Sequence, residues 1–169
     1  MGVFEGTATF NLVGSYSKAS DLGTLAEAIN YTNSPVKYTN GTGANQVNAF
    51  WSDTRTLTAT SESFDLDLAS GAGSIIDKFG DQLVFTKIKQ LFIRNRSTTT
   101  LEKLLVSGDF LGSALVVGTE HIWKIGPGGS RLIDDPIDGM AITAGSGDGL
   151  TVNAGAFTIS YDILILGTV

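Results

Sequence analysis

Several stretches of the chain alternate apolar and polar residues with a period of two, the signature of a strand with one covered face. Near the C-terminus Phe157, Ile159, Tyr161, Ile163 and Ile165 share one parity against Thr158, Ser160 and Asp162. Phe64, Leu66 and Leu68 oppose Asp65 and Asp67, and Phe4, Gly6, Ala8, Phe10 and Leu12 oppose Glu5, Thr7, Thr9 and Asn11. Residues 50–60 begin with Trp51 and set Thr54, Thr56, Thr58 and Thr60 on one side. Residues 83–93 are apolar on both parities: Leu83, Phe85, Leu91 and Ile93 on one, Val84, Ile88 and Phe92 on the other. That pattern predicts a central strand covered on both faces, with Lys87 and Lys89 leaving the cover incomplete.

Shorter strands are expected at 101–106, 114–117, 140–143 and 150–152. A hairpin from 121 to 133 turns at Gly126-Pro127-Gly128-Gly129, where proline fixes φ and glycine supplies positive φ. From Asp21 the period changes. Leu22, Leu25, Ala26 and Ile29 recur at three and four, and Ser20 or Asp21 can cap them, which predicts one short helix of about two turns. Ile75, Ile76 and Phe79 within residues 71–80 predict a single helical turn in a connection. Residues 30–48 read as a long polar loop through Asn33-Ser34-Pro35 and Asn40-Gly41-Thr42-Gly43-Ala44-Asn45-Gln46. Loops of that length are uncommon in compact domains and are often functional.

The sum is an all-β protein, an antiparallel sandwich of jelly-roll type with roughly eight to ten strands and one short helix. It forms one domain over residues 1–169, with the polar loop at about 30–48. Composition narrows this further. Charged residues are 17%, against about 25% in ordinary domains, and Gly, Thr and Ser make up about a third of the chain. The formal charge of −6 has the wrong sign for a nucleic-acid binder, whose affinity comes largely from neutralised phosphates. There is no cysteine, which removes disulfides, thiolate nucleophiles and Cys-ligated metals. The opening Met-Gly-Val-Phe-Glu has no basic and apolar leader, and no apolar run approaches the ~20 residues of a membrane helix. Synthesis in a cytoplasm and no membrane partner are therefore expected.

Candidate chemistry is sparse. His121 is the single histidine, and no Gly-x-Ser-x-Gly elbow accompanies it, so a structural role is expected. Asp134, Asp135 and Asp138 around Pro136 offer oxygens to a hard cation but do not have EF-hand spacing. Glu62, Asp65 and Asp67 contain the ingredients of a glycosidase pair, yet alternation on a solvated strand face explains them more simply. The glycine-rich stretches at 126–129 and 145–149 precede no helix and read as hairpin turns rather than phosphate cradles. No catalytic, cofactor or metal residue is expected, and the chain is not expected to be an enzyme. Lys87, Lys89, Arg94, Arg96 and Lys103 concentrate five of the eleven basic residues in seventeen positions. They are read either as a patch facing an acidic partner or as lysines guarding a sheet rim.

Three stretches carry a resemblance. Asn40-Gly41-Thr42-Gly43-Ala44-Asn45-Gln46 leads into Trp51-Ser52-Asp53-Thr54-Arg55-Thr56-Leu57; Phe64-Asp65-Leu66, Phe79-Gly80 and Phe85-Thr86-Lys87-Ile88-Lys89 follow. Pro127-Gly128-Gly129, Ile142-Thr143-Ala144-Gly145 and Tyr161-Asp162-Ile163-Leu164-Ile165 complete the set. Across residues 40–167 the chain resembles small virion structural proteins of tailed phages and prophages, most nearly the capsid decoration (cement) proteins. That resemblance implies a place on the capsid exterior and the major capsid protein as partner. It also implies a homo-oligomer, dimer or trimer. The contact residues expected on this reading are Phe4, Asn40, Thr42, Asn45 and Gln46, with Lys87, Lys89 and Arg94 as electrostatic candidates. A tail- or fibre-associated component, or a carbohydrate-binding module stacking sugars on Trp51, Trp123 or Tyr161, is the alternative.

Overall fold

A computed structural model of the chain describes residues 5–9, 11–20, 23–32, 35–68, 71–111 and 122–169. The first strands are β1 (Gly6–Ala8), β2 (Asn11–Ser20), β3 (Gly23–Thr32), β4 (Val36–Asn40) and β5 (Gln46–Val47). Next come β6 (Ala49–Thr58), β7 (Ser61–Asp65), β8 (Ile75–Ile76), β9 (Gln82–Leu83), β10 (Lys87–Asn95) and β11 (Leu104–Gly108). The last are β12 (Ile122–Ile125), β13 (Ser130–Asp134), β14 (Met140–Ala141), β15 (Gly149–Asn153) and β16 (Thr158–Thr168).

Two four-stranded sheets carry the fold. One runs β13-β10-β16-β6, with β14 added to the end of β10; the other runs β12-β11-β15-β7. Antiparallel ladders join β6 to β16, β7 to β15, β10 to β13 and β11 to β12. Among these eight strands the first therefore pairs with the last, the second with the seventh, the third with the sixth and the fourth with the fifth. That nesting is jelly-roll topology, and it makes the chain an all-β sandwich.

The alternation read from the sequence builds the space between the sheets. Ile159, Tyr161, Ile163 and Ile165 of β16 point inward beside Leu91 and Ile93 of β10, and Leu104, Val106, Leu150 and Val152 meet them from the facing sheet. Each such side chain removed from water contributes about 1.5–3 kcal/mol. Residues 83–93 do not behave as one alternating strand. Ile88 and Leu91, of opposite parity, are both fully buried in the same core. A β-bulge reconciles them: Ile88 pairs with Gly167 and Gln90 with Leu166, so Lys89 is an extra residue that reverses the faces. At the bulge β10 and β16 come so close that a Cβ on Gly167 would lie 2.3 Å from the Lys87 carbonyl oxygen.

A third, smaller layer covers part of the outer face of the β6-containing sheet. The strands β1, β4 and β5 form it, with β4 and β5 parallel. Tyr38 and Val47 are fully buried from this layer against Leu166. The Tyr38 hydroxyl donates to Asp134 Oδ1 at 2.6 Å. Burial, and then that carboxylate, push the Tyr38 hydroxyl well above the usual tyrosine range.

Four local expectations are corrected. The stretch at 121–133 is not a hairpin: β12 pairs with β11 and β13 with β10, so the turn at 126–129 carries the chain from one sheet to the other. The segment after Asp21 is strand, not helix: β3 pairs with β2 from Ser20↔Gly23 to Asn11↔Thr32. A spacing of four fits both periods, and Thr24, Ile29, Tyr31 and Thr32 favour the extended form that pairing selects. The described helical residues are Asp109–Leu111 instead. Residues 71–80 contain β8 and the turn into β9 rather than a helical turn. The polar stretch at 30–48 is not one loop either. It holds the end of β3 and all of β4 and β5, leaving 41–45 as the connection, because Tyr38 and Val47 supply the apolar anchors that a free loop lacks. Residues 114–117 lie outside the described residues.

Candidate functional site

The connection 41–45 is short, exposed and held in one shape. Gln46 turns back so that its Oε1 accepts Gly43 N at 2.9 Å, while Gln46 N donates to Gly43 O at 3.2 Å. Thr39 N donates to Asn45 O at 3.1 Å, and Gly41 N to Val47 O at 3.2 Å. Asn45 N reaches the Pro136 carbonyl at 2.7 Å, which ties the tip to the segment that follows β13. Two positions require unusual backbone: Gly41 at φ 145° and Asn45 at φ 55°, the latter in the left-handed region that asparagine tolerates best after glycine. Thr42, Gly43, Ala44 and Asn45 face solvent on this braced turn.

The residues expected to make contacts separate into groups. Asn40, Thr42, Asn45 and Gln46 come together here, although Gln46 is half-buried and braces the turn from beneath. Phe4 and His121 lie outside the described residues. Lys87 and Arg94 are exposed on one face of β10, brought to the same side by the bulge but roughly 20 Å apart along the strand. Lys89 is corrected. It is 1% exposed, and its Nζ donates to the Ile137 carbonyl at 2.6 Å, so it is no surface cation. Arg96 is bound to Asp162 at 3.1 Å. The five basic residues that cluster in the sequence thus form no continuous patch.

Trp51 and Tyr161 are core residues, and Trp123 is half-buried against the same core, so neither Trp51 nor Tyr161 can stack on a sugar. Trp51 meets Phe64 edge-on at 5.2 Å, and the Arg55 guanidinium sits 5.7 Å from the Trp51 ring and 5.0 Å from that of Phe64. Arg55 also donates to Asp53 at 2.9 Å and Glu62 at 2.7 Å. The second Glu62 oxygen accepts the buried Tyr161 hydroxyl. Burial, then Glu62, raise that hydroxyl far above its ordinary range. Arg55 stands on β6 and Glu62 on β7, which are edge strands of opposite sheets, so the network clasps the open side of the sandwich. Both Glu62 oxygens are thereby occupied.

One constellation was only half-visible in the sequence. Asp65 and Asp67 share a face, and Asp148 joins them, with carboxylate oxygens within 4.8 Å of one another. The signal was spread over two places, because the turn at 145–149 reaches this segment only in the folded chain, through the Gly149↔Asp65 pairing and the Leu66 N donation to Asp148 O at 2.9 Å. Asp148 Oδ2 already accepts Gly145 N. Half-buried, hydrogen-bonded to Asp65 and facing the charge of Asp148, Asp67 holds its proton to higher pH than an ordinary aspartate. Asp134 is taken up by Tyr38, and Asp135 accepts Asp138 N at 3.3 Å, so these three do not converge as a cation site.

Comparison with protein families, with curated proteins and with solved structures finds no match to this chain.

Proposed function

We propose that the chain is a virion structural protein, a capsid decoration protein that binds the major capsid protein on the outside of the assembled shell. Its support is the turn at 41–45: an exposed polar surface fixed by backbone hydrogen bonds and braced on a stiff jelly roll. A surface already in its bound shape loses little conformational entropy on docking, so modest polar contacts suffice. Many copies on a lattice add avidity, and binding only to the assembled form stabilises it by mass action. The residues offered to the shell are Asn40, Thr42 and Asn45, with Lys87 and Arg94 steering from the neighbouring face.

Purified mature particles provide the test. Wild-type protein is expected on the shell exterior, and a Thr42→Arg/Ala44→Arg variant with unchanged melting is expected to lose occupancy by about tenfold or more. Absence of the wild-type protein from particles, or undiminished occupancy of the variant, overturns the assignment.

A further inference from the structure

Lys89 is a lysine where burial suits an apolar residue, and its place in the fold gives the reason. It is the extra residue of the β10 bulge, and the neighbouring chain leaves β10 at the same point. Asp134 at the end of β13 pairs with Gln90, and Met140 of β14 resumes the pairing at Ile88, so residues 135–139 stand opposite Lys89 alone. A bulge re-aims the side chain it carries. Here it turns the lysine into the excursion of its neighbour.

Lys89 meets that excursion at three points. Its carbonyl accepts Asp135 N at 2.8 Å where the segment begins, and its Nζ donates to Ile137 O at 2.6 Å in the middle. Its stem lies against Gly139 at the end, where a Cβ would come within 2.9 Å of the Lys89 Cδ. The peptide between Ile137 and Asp138 is held from its other side too, since Asp138 N donates to Asp135 Oδ1 at 3.3 Å. The peptide just before it, between Pro136 and Ile137, presents the carbonyl that accepts Asn45 N at 2.7 Å. That bond crosses to the turn at 41–45 and falls on its left-handed residue, at φ 55°. Such backbone away from glycine persists where surrounding bonds impose it. A methionine at position 89 would fill the same space with no ammonium group to remove from water. What only the lysine supplies is the bond to Ile137 O.

We propose that Lys89 is a positioning residue for the turn at 41–45: by fixing residues 135–138 through Ile137 O, it sets the Pro136 carbonyl that keeps Asn45 in its left-handed conformation. Its bearing on docking rests on the decoration reading, while the chain of contacts is tested without any shell. Hydrogen exchange followed by NMR on the purified chain does so. In Lys89→Met, which keeps the stem and removes the donor, the Asn45 amide is expected to exchange about tenfold faster. Asp135→Ala releases the same peptide from its other side and is expected to act alike, so the test survives if one variant fails to fold. Ile163→Val, a core truncation that lowers stability without touching this segment, is expected to leave the Asn45 rate unchanged. A wild-type Asn45 rate in Lys89→Met or in Asp135→Ala, or an equal acceleration in Ile163→Val, overturns the proposal. Occupancy on particles is scored separately, and Lys89→Met is expected to lower it although residue 89 is buried beyond the reach of a shell. Full occupancy with a loosened Asn45 overturns the role in docking, whereas the contacts themselves stand or fall on the exchange rates.

Discussion

Lys89 places an ammonium group where almost no water reaches it. Burial, and then the charge of Lys87, lower its pKa, while Asp135 and Asp138 act in the opposite sense. Its stem packs so closely that a Cβ on Gly139 would come within 2.9 Å of the lysine Cδ. Packing rather than charge is then its main contribution. Lys89→Ala should cost about 2–4 kcal/mol in denaturant unfolding, whereas Lys89→Met, which keeps the stem, should cost less than about 1.5 kcal/mol. Asp67 gives a second test at this scale. Its pKa is raised in the folded state, so the folded chain binds more protons than the unfolded one just above the usual aspartate range, and stability falls as pH rises through that window. Asp67→Asn should therefore raise the melting temperature at neutral pH, and the gain should vanish in acid below the usual range, where both states hold the proton. Neither residue was legible alone in the sequence. Lys89 looked like part of a basic surface run because a bulge leaves no mark in alternation except two apolar parities in one stretch, and Asp148 is distant in sequence from its partners.

Among the elements, the clasp between β6 and β7 shows how two sheets are kept together at an edge that no crossing backbone ladder closes. Arg55 ties Asp53 and Glu62, Glu62 ties Tyr161, and the guanidinium rests against Trp51 and Phe64. Tyr161→Phe leaves Arg55 and Glu62 paired and should cost about 1 kcal/mol. Arg55→Ala removes the cation from two carboxylates and should cost more, about 1–2 kcal/mol, since the group is partly open to solvent. Chemical denaturation of the two variants checks the order. Elements with one strongly apolar parity, such as β16 and β7, could be read directly from the sequence. β3 could not, because its four-residue spacing suits helix and strand alike, and only pairing with β2 decides between them. β4 and β5 were also hidden: each has a single buried anchor, Tyr38 or Val47, too little for periodicity to register.

For the whole molecule the sandwich was legible, since the number and spacing of alternating segments leave few other ways to cover so many apolar faces. What the pattern does not encode is which strand lies beside which, and here the partners are distant: β6 pairs with β16 from Thr58↔Thr158 to Ala49↔Gly167. Nested long-range ladders impose a large loop-closure cost before contacts reward it. Refolding after dilution from denaturant should accordingly take milliseconds to seconds, slower than helical proteins of this length, and stopped-flow fluorescence of the two tryptophans, Trp51 and Trp123, will show it.

The place of β16 has one more consequence. It lies between β6 and β10 in the sheet, yet synthesis reaches it only after both of them. A nascent chain interrupted before Thr158 leaves those two strands unjoined and their apolar sides open to water, so incomplete copies should be recognised and degraded rather than incorporated into anything.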